Sequence, residues 1–250
     1  MTSIQDNTPT SGRSLAGSHV LVVGGSSGIG AAVATQARAL GAEITLGGTN
    51  AARLAQTSRA LGGCGTVQLD VGSRTSVEQA LAASEPVDHL VITAGQRIVG
   101  RLADQDPDRL LHAVQERIAG AVYVIRACLA RLSAHASITL TSGVLVQRPT
   151  RDGTAVLAAA AAGVEALARG LALELAPRRV NVVSPGVTAT GLLNPLGQDT
   201  KDRLLGEVAR RLPLGRVGTP DEVAEAYLFL MCNGFATGQV LRLDGGGTLA

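Results

Sequence analysis

The feature that most constrains the fold is an alternation. Seven short runs rich in Val, Ile, Leu and Thr recur along the chain: "HVLVVG" (19–24), "EITLGG" (43–48), "TVQLD" (66–70), "DHLVITAG" (88–95), "ASITLTS" (136–142), "RVNVVSP" (179–185) and "GQVLRLDG" (238–245). Between them, helical periodicity covers about 28–40, 50–61, 73–84, 107–132, 153–176 and 220–233. Runs with apolar residues at successive positions need cover on both faces, and strands spaced by helices pair in parallel. The pattern predicts an α/β fold: a single-domain, doubly wound (Rossmann-type) seven-stranded parallel sheet with helices on both faces. Ligands of such a sheet sit at the carboxyl ends of its strands.

No internal repeat or linker divides the 250 residues. Residues 1–14, "MTSIQDNTPTSGRS", are polar, lack an apolar signal-peptide core and read as a flexible arm before one domain at 15–250. Residues 189–218 leave the alternating rhythm and are expected to form a turn-rich insertion over the ligand crevice. A net charge of +2 gives no basic field for nucleic acid. Cys64, Cys128 and Cys232 are scattered and odd in number, which argues against a disulfide framework or a metal site and for a reducing cytoplasm. No uninterrupted apolar run reaches the ~18 residues of a membrane span, so no membrane partner is expected.

The stretch "VLVVGGSSGIGAAVATQARALGA" (20–42) joins the first strand to the first helix. Glycines at such a turn let the backbone approach a pyrophosphate at the helix N-terminus. Gly24, Ser26, Ser27, Gly28, Ile29 and Gly30 are therefore the candidate cradle of a dinucleotide. NAD-preferring sites end the second strand with a carboxylate for the ribose 2′-hydroxyl. Here Gly48 stands near that place, followed by Thr49 and Asn50, with Arg53 in the first turn of the next helix. These side chains suit a 2′-phosphate and favour NADP(H) over NAD(H). An ordinary Asn cap beside a surface arginine is the plainer account of the same residues.

Gly-x-x-x-Gly-x-Gly at 24–30 resembles the fingerprint of the short-chain dehydrogenases/reductases, and the resemblance runs almost the whole length. "LDV" (69–71) is similar to the segment that meets the adenine, which implies roles for Asp70 and Val71. "TAG" (Thr93, Ala94, Gly95) stands where the family usually has Asn-Ala-Gly. "VNVVSPGVTAT" (180–190) resembles the segment that holds the nicotinamide carboxamide, implying Pro185, Gly186, Val187, Thr188 and Thr190. "GRVGTPDEVAEAYLFL" and "ATGQVLRLDGGG" match the family's last helix and strand.

The family's usual active site is an Asn, a Ser, a Tyr and a Lys, and here the chain departs from it. Ser142 fits the serine. Counting 13 on gives Ala155, and four more gives Ala159. Arg117 stands at the asparagine. The tyrosines, Tyr123 and Tyr227, and the single lysine, Lys201, fall elsewhere, and His19, His89 and His135 precede strands at the opposite edge of the sheet. The remaining catalytic candidates are Ser142, Arg117 and Asp152. Leu110, Val114, Arg117, Ala121 and Ile125 form a stripe at helical spacing that should turn Arg117 inward. A buried guanidinium needs an acceptor, and Asp152 is the expected partner, unless it simply caps the helix that follows.

These observations point to an NADP(H)-dependent oxidoreductase without the usual proton relay, acting on a small activated substrate such as an imine, an iminium or a conjugated system. A lyase or cyclase on the same scaffold and a cofactor-binding pseudoenzyme are the alternatives. The alanine-rich helix, "LAAAAAG", lets backbones pack closely, and the resemblance implies a homo-oligomer, a tetramer or dimer.

Overall fold

The computed structural model describes residues 13–191 and 197–250. Most of the expected arm, and residues 192–196 of the expected insertion, lie outside the described residues.

Seven strands form one sheet: β1 (His19–Val23), β2 (Glu43–Gly48), β3 (Gly65–Gln68), β4 (Val87–Ile92), β5 (Leu132–Thr141), β6 (Arg179–Pro185) and β7 (Val240–Leu243). Their order is β3-β2-β1-β4-β5-β6-β7, with every pairing parallel. The helices are α1 (Gly28–Ala39), α2 (Ala51–Ala60), α3 (Arg74–Leu81), α4 (Pro107–Val114), α5 (Gly120–Cys128), α6 (Ala155–Glu174), α7 (Gln198–Ala209) and α8 (Pro220–Cys232). The doubly wound architecture is the one the alternation predicts.

β1 shows how the apolar runs are used. Its side chains alternate faces. Leu21 and Val23 pack with residues of α3, α5 and α6, among them Val77, Val124 and Val164. Val20 and Val22 pack on the other side with Val33 of α1 and Val223 and Tyr227 of α8. The chain thus has two cores with the sheet between them. His19 and His89 lie at the amino edge, as expected.

Three local expectations change. The central helical segment is not one helix, because a π-helical turn, Gln115–Ala119, separates α4 from α5. Such a turn adds a residue to the helical repeat and re-aims its side chains. Leu110, Ala121 and Ile125 of the expected stripe are buried, Val114 and Arg117 only half-buried, and Glu116 takes the inward position. The turn-rich insertion contains the twelve-residue helix α7. Finally, α6 is long and apolar enough, by length and composition, to cross a membrane. No uninterrupted apolar run announces it, because Glu165 and Arg169 break the stretch. In the fold one face of α6 packs into the core through Leu157, Val164 and Ala168.

At the amino edge, His89 Nδ1 lies 2.7 Å from the Ser137 hydroxyl. Burial, reinforced by Arg179 and opposed by Asp88, pulls His89 from its ordinary 6.5 to about 4. The unfolded chain therefore binds the proton first as the pH falls. The contribution of neutral His89 to stability is complete above pH 6.5 and is lost as the pH drops toward 4. Urea unfolding at pH 7.5 and 4.5 is expected to cost the wild type about 2–3 kcal/mol more than His89→Asn. An equal loss in both proteins would remove His89 as the source.

Candidate active site

The crevice opens above β1 and β4, where the chain turns to opposite sides of the sheet. Its floor is the loop after β1. Gly24 has φ +94°, and a Cβ there would lie 2.5 Å from Thr93 Oγ1. Thr93 ties the two strand ends together by donating its hydroxyl to the Gly24 carbonyl at 3.2 Å. Gly30 is as tightly confined, since a Cβ on it would lie 2.3 Å from the Gly24 carbonyl oxygen. Gly28, at φ +54°, faces Thr190, which a Cβ at Gly28 would meet at 3.4 Å, so the segment after β6 reaches the start of α1. Ser27 begins α1 without a side-chain cap bond. The first-turn N–H groups are thus left for an anion, as a pyrophosphate cradle requires.

Around this floor stand the other expected contacts. Thr49, Asn50 and Arg53 are placed at and just after the end of β2, with Asn50 exposed. Asn50 does cap α2, accepting from Arg53 N at 2.9 Å, which leaves its amide N–H groups free to donate outward. Asp70 is exposed and holds the turn through Gly72 N at 2.9 Å, while Val71 is buried against Gly120. Gly95 has φ +141° and lies against the Arg117 side chain, with Ala94 half-buried before it. After Pro185, Gly186 donates to Leu243 O at 2.7 Å, and the Thr188 hydroxyl donates to Gly186 O at 3.1 Å. Val187 is exposed on this loop. A separate cleft between Pro213–Gly218 and Arg242–Gly246 shares Val187 with the site.

The catalytic candidates do not assemble as expected. Asp152 is exposed, and among the described residues its one hydrogen bond is its own N–H donated to the Thr150 hydroxyl at 3.3 Å. It neither pairs with Arg117 nor caps α6, whose N-cap residue is Thr154. Arg117 donates instead to Gln96 O at 3.4 Å, while its Nε is buried without a partner. The pocket around it is lined by Ile92, Ala94, Ala121, Leu140, Thr141 and Val164. Burial lowers the Arg117 pKa, and the neighbouring Glu116 opposes that shift. Glu116 is itself buried, accepting from Gln96 N at 2.7 Å and Gln96 Nε2 at 3.0 Å.

Ser142, at the carboxyl end of β5, has a partner that the sequence did not announce. It is 6% exposed and donates its hydroxyl to Glu165 Oε1 at 2.9 Å. Glu165, on α6, is also 6% exposed. The residue count along α6 changes as well. Ala155 and Ala159 lie off the buried face, whereas Leu157 and Ala161 face the interior, two turns and one turn before Glu165. Neither register holds a tyrosine or lysine. Tyr227 is fully buried, shares a 2.7 Å hydrogen bond with Thr141, and has its pKa raised by that burial. The signal for Glu165 was present as a lone carboxylate on the apolar stripe of a helix.

A family model described as enoyl-(acyl carrier protein) reductase matches residues 23–248. The chain is 34% identical over 249 residues to the short-chain dehydrogenase/reductase ATR9 of Stachybotrys chlorohalonatus, covering 93% of this chain and 98% of that one. Among solved structures it resembles the MalC reductase/Diels-Alderase of Malbranchea aurantiaca, with 30% identity, a TM-score of 0.87, and 94% and 98% of the two chains covered. It also resembles an NADPH-bound short chain oxidoreductase of Pseudomonas aeruginosa PAO1, described as containing an atypical catalytic center, at 28% identity, a TM-score of 0.87 and the same coverage. With the sheet order, the glycine cradle and Ser142 in place, the chain belongs to the short-chain dehydrogenase/reductase family.

Proposed function

We propose that the protein is an NADP(H)-dependent reductase of a small molecule whose acceptor bond arrives already polarised, an imine, iminium or conjugated system. One observation carries the reading. The glycine turn that would cradle a dinucleotide is present, while the interior face of α6 carries Leu157 and Ala161 and no tyrosine or lysine, and the carboxylate it brings to Ser142, Glu165, accepts the serine's proton at 2.9 Å. Loss of a positioned acid typically costs ~10²–10⁴-fold when a ketone must be protonated. A substrate that needs no such proton escapes the penalty, and positioning and electrostatics then suffice.

Bound NADPH would supply the hydride. Gly24, Ser26, Ser27, Gly28, Ile29 and Gly30 would hold its pyrophosphate, and Thr49, Asn50 and Arg53 the 2′-phosphate. Asp70 and Val71 would border the adenine. Thr93, Ala94 and Gly95, with Pro185, Gly186, Val187, Thr188 and Thr190, would frame the nicotinamide. Ser142 would contact substrate. Arg117 would stabilise the crevice wall through Gln96, and Asp152 would stand at the rim. The resemblance to MalC, a reductase/Diels-Alderase, favours a second reading in which this site also closes a ring without redox change. We place the protein in the cytoplasm as a homo-oligomer, tetramer or dimer. Its outward α6 face, Ala155, Ala159, Ala166, Gly170 and Leu173, would meet its counterpart.

Nucleotide titration is expected to give NADPH at least about tenfold tighter binding than NADH, with Arg53→Ala narrowing the gap. NADPH oxidation should follow addition of 3,4-dihydroisoquinoline and not of acetophenone. Tighter NADH binding would overturn the cofactor choice, and equal turnover of the two substrates would overturn the substrate class.

A further inference from the structure

We propose that Glu165, acting through Ser142, makes this site select substrates that carry a positively charged N–H group. The proposal rests on the reductase reading and names its substrate class.

A serine hydroxyl has one proton and two lone pairs. The Ser142 proton is committed to Glu165 Oε1 at 2.9 Å. What Ser142 then offers a substrate is acceptor capacity. A carbonyl oxygen, itself only an acceptor, gains nothing from that arrangement. A protonated imine or iminium N–H gains a charge-assisted hydrogen bond.

Charge accounting points the same way. Arg117 and Glu116 are linked through Gln96, which donates its backbone N–H and side-chain amide to Glu116 and accepts from Arg117 at its carbonyl. Glu116 also has His112 Nε2 at 3.2 Å. These charges offset one another within the π-turn and the strand end beside it. Glu165 stands apart. Among the described residues, no arginine, lysine or histidine nitrogen lies within ion-pair distance of its carboxylate. A buried carboxylate without a cation is costly. One turn before it, on the same interior face, the residue is Ala161. A cationic substrate supplies the charge that the protein omits.

The chemistry balances without a protein acid. When hydride adds to the carbon of a C=N–H⁺ group, the carbon–nitrogen π bond breaks and its electron pair becomes the amine lone pair. The product is a neutral amine, and no proton has to be delivered. Glu165 is a positioning residue here, and Ser142 is the contacting one.

The test compares two probes of one shape by calorimetry in the presence of NADP⁺. Tetrahydroisoquinoline is an ammonium ion at neutral pH, and isochroman replaces its nitrogen by oxygen. The wild type is expected to prefer the ammonium by about tenfold or more, the size of a charge-assisted hydrogen bond. Glu165→Gln, nearly the same size, should erase that preference while NADP⁺ affinity stays the same. Ser142→Ala, which cuts the link and leaves the carboxylate, should reduce it and stands in if Glu165→Gln fails to fold. Absence of a preference in the wild type, or a preference unchanged in either folded variant, overturns the proposal. NADPH oxidation by 3,4-dihydroisoquinoline is measured alongside. Selective ammonium binding without turnover would leave this charge selection standing and sink the reductase reading. Turnover without selectivity would do the reverse.

Discussion

Gly30→Ala is expected to weaken NADP(H) binding by about 100-fold or more, the scale of a misplaced binding element. The added methyl would meet the Gly24 carbonyl oxygen at 2.3 Å and Thr93 Oγ1 at 2.7 Å. Neither atom can yield cheaply. The Gly24 carbonyl accepts the Thr93 hydroxyl that ties β1 to β4, and Gly24 N is fixed to Gly47 O at 2.8 Å. The first turn of α1 must therefore lift away from the strand ends, which moves the free N–H groups off the pyrophosphate. Overpacking of this kind also costs about 1–3 kcal/mol of stability. Gly234→Ala is the control, because a Cβ there meets nothing within 4 Å. It should leave binding and melting temperature unchanged. Nucleotide calorimetry and thermal melts measure both effects. Binding by Gly30→Ala within about threefold of the wild type would contradict the cradle, since a misplaced element costs far more.

Much of this was legible in the chain because the signals are local. β1 is apolar on both faces, and the glycines at 24, 28 and 30 sit between a strand and a helix, so sheet type and cradle follow from short windows. What was not legible depends on counting across irregular backbone. The spacing of 13 from Ser142 assumes a loop of fixed length, but a 3₁₀ turn at Val144–Val146 and the turns up to Thr154 intervene. Ala155 and Ala159 therefore fall off the buried face of α6. The same cause misdirected the stripe through Arg117, where the π-turn inserts a residue and brings Glu116 inward. The helix α7 gives little amphipathic signal, because Leu204, Leu205 and Val208 are its only large apolar residues in a polar stretch. Asp152 is the acid nearest in sequence to Ala155. Glu165, 23 residues beyond Ser142, is the one that reaches the serine.

The register read from the buried face of α6 makes a second large effect testable. Leu157→Tyr combined with Ala161→Lys should raise NADPH-dependent reduction of a simple ketone, ethyl acetoacetate, by ~10²-fold or more over the wild type, within the range a positioned acid contributes. Both residues lie on the interior face of α6, the side on which Glu165 meets Ser142. An ammonium beside a phenol favours the ionised phenol and makes it a better proton donor near neutrality. The introduced lysine would have Glu165 four residues on, so its charge would not be stranded. That pairing carries a consequence of its own. Once the protein supplies the cation, Glu165 no longer calls for one in the substrate, and the preference for tetrahydroisoquinoline over isochroman should shrink as ketone turnover rises. The matching pair on the outward face, Ala155→Tyr with Ala159→Lys, should raise no ketone turnover and shrink no preference, whatever it does to the proposed helix–helix interface. Filling two buried positions is expected to cost about 1–3 kcal/mol each, so melting curves accompany the assays. A gain in the outward-face variant and none in the interior one, with both folded, would return the register to the simple count from Ser142. Ketone reduction by the wild type at the rate of the interior variant would mean that a proton donor already operates in this crevice.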